Sequence, residues 1–299
     1  MDEVVQSGEL FVTVNDVELC YETFGNASNP AMVVIDGLGG QMLESEGVSN
    51  RLIAGLGYFV VRFDNRDAGK STKFEAAGVP SVDALRASVM TGVSIVAPYT
   101  LKDMAGDTVE LLEALSIEAA HVVGISMGGM IGQMLAIHYP ERLRTLTTVM
   151  SSPGWQEACV PSDEALECLL ATPPAEREAY CEFKVQGARV ICGPKYPLNE
   201  RVVRRAYAEA FDRSYCPEGR QRQYAAILAS GNWTESLKSV HVPTLVIHGD
   251  ADPVVPVEGG KALAEAIPEA ELMIVDGMGH SIPEAEAQQI LSAIMQHAK

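Results

Sequence analysis

Short apolar runs alternate with longer amphipathic stretches along most of this chain. Residues 9–24 alternate apolar and polar positions around Asn15-Asp16, which predicts a hairpin of two edge strands. Apolar runs follow at 31–36 and at Tyr58-Phe-Val-Val-Arg-Phe63, with a stretch of helical character near 44–56 between them. A helix is predicted from about 101 to 115, then a strand at 120–125, a helix to 139 and a strand over Leu143–Met150. Thr244-Leu-Val-Ile-His248 and Leu272-Met-Ile-Val275 read as the last strands, and a C-terminal helix follows them. Strands that alternate with helices imply a mostly parallel sheet covered on both faces.

Two regions break this rhythm. Residues 72–100, with Pro80 and Pro98, read as a long excursion placed to overhang a cleft. At Ser151-Ser-Pro-Gly154 the composition shifts, and residues 155–236 become rich in Glu, Arg, Tyr and Cys without any buried-strand pattern. Helical stretches are expected at 162–171, 175–187, 199–212 and 218–230. An insert of more than about 80 residues is too long for an ordinary connection. A helical cap, or lid, over 155–236 is therefore expected on a core formed by 1–154 and 237–299; surface helices packed on the sheet are the alternative.

The candidate chemistry sits at the join of strand 120–125 and its helix. Gly124-Ile-Ser-Met-Gly128 follows an apolar run and precedes a sequence free of proline until Pro140. Gly-x-Ser-x-Gly alone arises by chance in roughly one chain in ten of this length. Between a strand and a helix it reads as a nucleophile elbow, which pushes a serine hydroxyl into a cleft. Ser126 is then the nucleophile, and it needs a base and an acid that follow it in the chain. Among the later histidines, His138 reads as a helix end, His241 as a strand entrance and His297 as a fraying terminus. His280, in the loop Asp276-Gly-Met-Gly-His-Ser-Ile-Pro283 after the last strand, is best placed to reach the elbow. Asp250 and Asp252 compete for the acid: Asp250 could cap its own turn, and Asp252, beyond the strand end before Pro253, is the stronger candidate.

The oxyanion needs two backbone N–H groups. Met127, just after the nucleophile, supplies one, and Leu38 in the loop Asp36-Gly-Leu-Gly-Gly40 supplies the other. Gly37, Met42 and Met130 are expected to line an apolar substrate pocket. No Lys and Ser/Thr pair completes a phosphate-binding loop, and no His/Cys/Asp cluster has zinc spacing, so neither a metal nor a cofactor is expected.

These motifs, with Phe63-Asp-Asn-Arg-Asp-Ala-Gly-Lys-Ser71 and His248-Gly-Asp-Ala-Asp252, together make the chain resemble the α/β-hydrolase superfamily over nearly its whole length. Within it the chain is most similar to capped serine esterases of the aclacinomycin-methylesterase type. That resemblance implies an α/β-hydrolase fold with an inserted cap, and cofactor-free cleavage of a carboxylic ester. Many relatives have His-Gly where this chain has Asp36-Gly37; backbone donors survive that exchange. Carbon–carbon bond hydrolysis, perhydrolysis and acyl transfer use the same triad, and the scaffold also serves binding proteins that do no chemistry. A dehalogenase would need an aspartate in place of Ser126.

Composition narrows the partners. A formal charge of −18 disfavours nucleic acid and anionic membranes; it reads as a solvated surface, with a bias towards neutral or cationic substrates as the alternative, and the expected partner remains the small-molecule ester that the triad and the resemblance imply. Hydrophobic residues make up 47% of the 299 positions, enough for a sizeable core, yet no run approaches the ~18 residues of a membrane span. The acidic start, Met1-Asp-Glu-Val-Val-Gln, does not read as a signal peptide, and six scattered cysteines read as free thiols in a reducing cytoplasm. A disulfide within the cap is the alternative, since most of the cysteines fall there. The Asp64–Asp67 charges read as salt-bridge pins for their loop.

Overall fold

The computed structural model describes residues 4–43 and 49–299. Eight strands form one sheet: β1 (Leu10–Val14), β2 (Val17–Phe24), β3 (Ala31–Ile35), β4 (Phe59–Phe63), β5 (Ala120–Ile125), β6 (Leu143–Val149), β7 (Thr244–Gly249) and β8 (Glu271–Val275). Their spatial order is β1-β2-β4-β3-β5-β6-β7-β8. β2 pairs antiparallel with β1 and β4, and every pairing from β4 to β8 is parallel. Parallel strands inside a sheet are covered on both faces, and β3 and β7 are buried at every position. The predicted hairpin forms, with Asn15 and Asp16 both at positive φ as its tight turn requires. Of the two hairpin strands β1 alone is at an edge; β2, expected as a second edge strand, lies inside the sheet between β1 and β4.

Helices α1 (Asn50–Gly55), α3 (Leu101–Ala114), α4 (Met127–His138), α10 (Val257–Ala266) and α11 (Ala287–His297) belong to the strand–helix alternation. The start of the helix expected near 44–56 lies outside the described residues. α4 is nearly all buried and sits in the centre of the larger apolar cluster with β3, β5 and α3. α11 covers the opposite face, where Ile290, Leu291 and Ile294 meet Val149, Ile247 and Val275.

Between β6 and β7 lie α5 (Asp163–Leu170), α6 (Arg177–Ile191), α7 (Glu200–Arg213), α8 (Pro217–Ser230) and the short α9 (Thr234–Leu237). The chain leaves and returns at one neck. Gly154 bridges Asn232, the Trp155 N–H donates to the Gly231 carbonyl at 2.9 Å, and the Trp233 N–H donates to the Pro153 carbonyl at 3.2 Å. The excursion at 72–100 contains a helix that the sequence reading missed, α2 (Val82–Thr91), capped by Ser81 and ended by Gly92 at φ 69°. Its Leu85 and Val89 pack with Leu166, Leu170, Tyr224 and Leu228 of α5 and α8, so one apolar cluster joins the excursion to the insert.

Candidate active site

Ser126 is the residue at which β5 becomes α4, and its backbone is at φ 54° and ψ −116°. A non-glycine residue rarely adopts that conformation, and the surrounding chain imposes it. The Ser126 N–H is fixed to the Val149 carbonyl of β6 at 2.8 Å. The sharp turn also drives α4 into the strands. A Cβ on Gly128 would stand 2.0 Å from the Ile35 carbonyl oxygen, and one on Gly124 would stand 2.3 Å from the Gly128 carbonyl oxygen. Only glycine fits at those two positions.

His280 comes from the loop after β8. Its Nε2 is 2.9 Å from Ser126 Oγ, and its Nδ1 is 2.7 Å from Asp252 Oδ2. A carboxylate only accepts, so Nδ1 carries the proton, and Nε2 is left to accept from the serine hydroxyl. Asp252 is itself held: its Oδ1 accepts from the Val254 and Val255 N–H groups at 2.8 and 2.9 Å. Asp250 points elsewhere and accepts from the Gly277 N–H at 2.6 Å, which anchors the histidine loop. Neighbouring His248 is buried on β7, with Nε2 2.8 Å from the Val255 carbonyl. Burial pulls its pKa down, which keeps it neutral beside Asp252. A further support carries no linear motif: the insert holds the histidine loop, with the His280 N–H on the Ile191 carbonyl at 2.6 Å and the Gly279 N–H on the Cys192 carbonyl at 3.3 Å.

Met127 is the first residue of α4, where helical N–H groups have no carbonyl a turn earlier to bond. The 36–40 loop lies directly over the serine; a side chain on Gly37 would meet Ser126 Cβ at 3.2 Å. Asn65 Nδ2 donates to the Asp36 carbonyl at 3.2 Å, and the Gly39 N–H donates to Gln223 Oε1 of α8 at 2.7 Å, so core and insert both fix this loop.

Ser126 and His280 open on a cavity of about 650 Å³. Gly37, Leu38 and Met130 line it on the core side, and Trp155, Tyr180, Phe183, Tyr207, Tyr215 and Arg220 line it from the insert. Met42 does not face it. That side chain is fully buried, and its N–H is tied to Asp64 Oδ1 at 2.9 Å; Gln41 lines the wall instead. The aromatic wall was missed, because residues on separate helices of the insert show no linear motif. Beneath the cavity the Asp64–Asp67 loop is pinned by buried pairs, Arg213–Asp64 at 2.6 Å, Arg66–Asp107 at 2.6 Å and Arg222–Asp67 at 2.7 Å. Among the described residues no group of three or more His, Cys, Asp or Glu is placed to hold a metal ion, and no helix is long and apolar enough to cross a membrane.

Comparison with known proteins agrees with this architecture. A family model described as alpha/beta hydrolase fold matches residues 30–186, more than half of the chain, and one described as TAP-like protein matches 220–296. The chain is 28% identical over 315 residues to rhodomycin D methylesterase DauP of Streptomyces sp. (strain C5), covering 96% of this chain and 97% of the relative. It is 28% identical over 273 residues to 3-oxoadipate enol-lactonase 2 of Acinetobacter baylyi, covering 89% and 87%. A solved hydrolase from Pseudomonas aeruginosa PA01 superposes with a TM-score of 0.73 at 24% identity, over 97% of this chain and 98% of that one. The chain belongs to the alpha/beta hydrolase fold family.

Proposed function

We propose that the protein hydrolyses carboxylic esters of small molecules through an acyl-enzyme on Ser126. One observation carries this reading: an unbroken hydrogen-bond line from Asp252 through His280 to Ser126 opens on a lined cavity, beside backbone donors. In the proposed cycle Ser126 Oγ attacks the ester carbonyl while His280 Nε2 takes its proton. Asp252 holds the ring and stabilises the imidazolium. The N–H groups of Leu38 and Met127 receive the oxyanion. The protonated histidine then gives its proton to the leaving alcohol. Water, deprotonated by the same ring, attacks the acyl-serine; its breakdown releases the acid and restores Ser126.

The relatives named a methylesterase and an enol-lactonase support ester chemistry. The net charge of −18 favours a small-molecule partner over nucleic acid, and six free thiols favour a reducing cytoplasm. The test is direct. A fluorophosphonate probe should label Ser126 in the wild type, and Ser126→Ala should lose several orders of magnitude in turnover of a 4-nitrophenyl ester while remaining folded. Labelling at another serine, or full activity in the variant, would overturn the assignment.

A further inference from the structure

The buried and half-buried arginines among the described residues follow a rule that one of them breaks. Arg62 meets Glu22 at 2.6 Å, Arg66 meets Asp107 at 2.6 Å, Arg213 meets Asp64 at 2.6 Å and Arg222 meets Asp67 at 2.7 Å. A guanidinium withdrawn from water needs such an anion. Arg220 lines the same cavity as Ser126 and His280, yet its head donates only to two neutral groups, the Leu169 carbonyl at 2.5 Å and the Cys168 carbonyl at 3.2 Å. Among the described residues no carboxylate forms an ion pair with it, and the ionisable groups that act on it most strongly are Tyr224, Tyr207, Tyr180 and Cys168. Two of its five N–H donors are used, which leaves donors for a ligand in the cavity.

The position of Arg220 ties it to the chemistry. Its stem lies across Gly39, where a Cβ would come within 2.9 Å of Arg220 Cγ and Cδ. Gly39 adopts φ 70° and directly follows Leu38 in the loop that covers the serine. A second cation, Lys184, is on the same wall, with Nζ 4.5 Å from the centre of the Tyr207 ring. Of the two carboxylates among the described wall residues, Asp67 is already bound by Arg222 and Tyr99, and Asp36 is buried in the loop over the serine. In a chain of net charge −18, positive charge on the wall of this cavity stands out.

We propose that the esters or lactones taken by this site carry a carboxylate away from the scissile bond, and that Arg220 selects them by receiving it. The proposal rests on the ester-hydrolase reading of Ser126 and adds the class of substrate. A guanidinium fork matches a carboxylate in shape as well as charge, so a neutral analogue would leave the cation without an anion.

The test compares mono-4-nitrophenyl esters of the succinate-to-suberate diacids with 4-nitrophenyl alkanoates of matched length. In the wild type, kcat/KM should favour the acid ester for at least one chain length. Arg220→Gln should lower the acid-to-neutral ratio at that length by roughly 30-fold, and Arg220→Lys should lower it less. A wild type that prefers the neutral ester at every length would overturn the proposal. So would an equal fall on both esters in R220Q, the result expected if the side chain only secures the end of α5. Binding measured without turnover covers the case in which R220Q does not fold. Adipate should change the fluorescence of Trp155 in the Ser126→Ala protein at a concentration at least about tenfold below adipamide; equal concentrations would sink the idea. Turnover of the neutral esters reports on Ser126 alone, so the two readings can fail separately.

Discussion

Ser126 bears the cost of its own exposure. Its φ of 54° is a strained conformation for any residue with a Cβ, of the kind that costs about 1–3 kcal/mol. Ser126→Gly relieves that strain and Ser126→Ala does not. The glycine variant should therefore be the more stable of the two inactive proteins by roughly 1 kcal/mol in denaturant unfolding. An alanine variant that unfolds later would show that the turn carries no strain. The two candidate acids also separate at this scale. Asp252→Asn leaves an amide that can force the wrong histidine tautomer, so turnover should fall on the order of 10⁴-fold. Asp250→Asn loosens only the bond to Gly277 and should cost far less. The reverse ranking would reassign the acid. Buried His121, 3.0 Å from Thr145 Oγ1, gives a pH prediction. Burial, helped by the charge of Arg144, holds its pKa at about 4 against an ordinary 6.5. Between those values the unfolded chain binds a proton that the native one does not. Its share of stability is therefore present above about pH 6.5 and lost as the pH falls towards 4. Melting temperature across that window should decline less steeply in His121→Gln than in the wild type, and parallel slopes would refute it.

At the scale of elements, the loop between β4 and the 72–100 excursion is where insert and core are fastened. α7 and α8 send Arg213 and Arg222 into it, onto Asp64 and Asp67. Asp67 is completely buried and Arg222 is 1% exposed, so removing the cation strands an ionised carboxylate in the interior. Arg222→Met should cost about 3–5 kcal/mol in unfolding free energy, and adding Asp67→Asn should recover much of it. Additive losses would mean that the pair is not coupled. The sequence foretold that these charges pin the loop, but not which cations they meet, since Arg222 is 155 residues away from Asp67. The same distance hid α2. Only Leu85, Ser88 and Val89 of that helix are buried, too few to announce it, and the apolar partners of the cluster come from α5 and α8. β2 was misread for a related reason: strand pairing is set by what lies beside a strand in space, and alternation reports only which face is wet.

At the scale of the whole molecule, the insert does two things: it walls the cavity and it holds His280 through the Ile191 and Cys192 carbonyls. Exchanging parts of 155–236 away from residues 191–193 should change the order in which esters of different acyl length are cleaved, while a small activated ester is still turned over. A folded exchange variant with an unchanged order would make the insert mere packing. What the sequence determined by itself was local. Periodicity set the strand and helix alternation and four of the insert's helices, three of them to about a residue and the 175–187 stretch with an end four residues later. The elbow was legible because glycine spacing, a strand and a helix all lie within one stretch of chain, and Gly124 and Gly128 answer to atoms a few residues or one strand away. The tertiary structure alone decided which way side chains face once segments distant in sequence converge. It turned Met42 into the core and Gln41 onto the cavity, gathered the aromatic wall from separate helices, and left Arg220 on the wall of the serine's cavity with no carboxylate paired to it among the described residues. Linear pattern encodes burial relative to a strand or helix axis; it carries no information on which neighbour fills the space across from it.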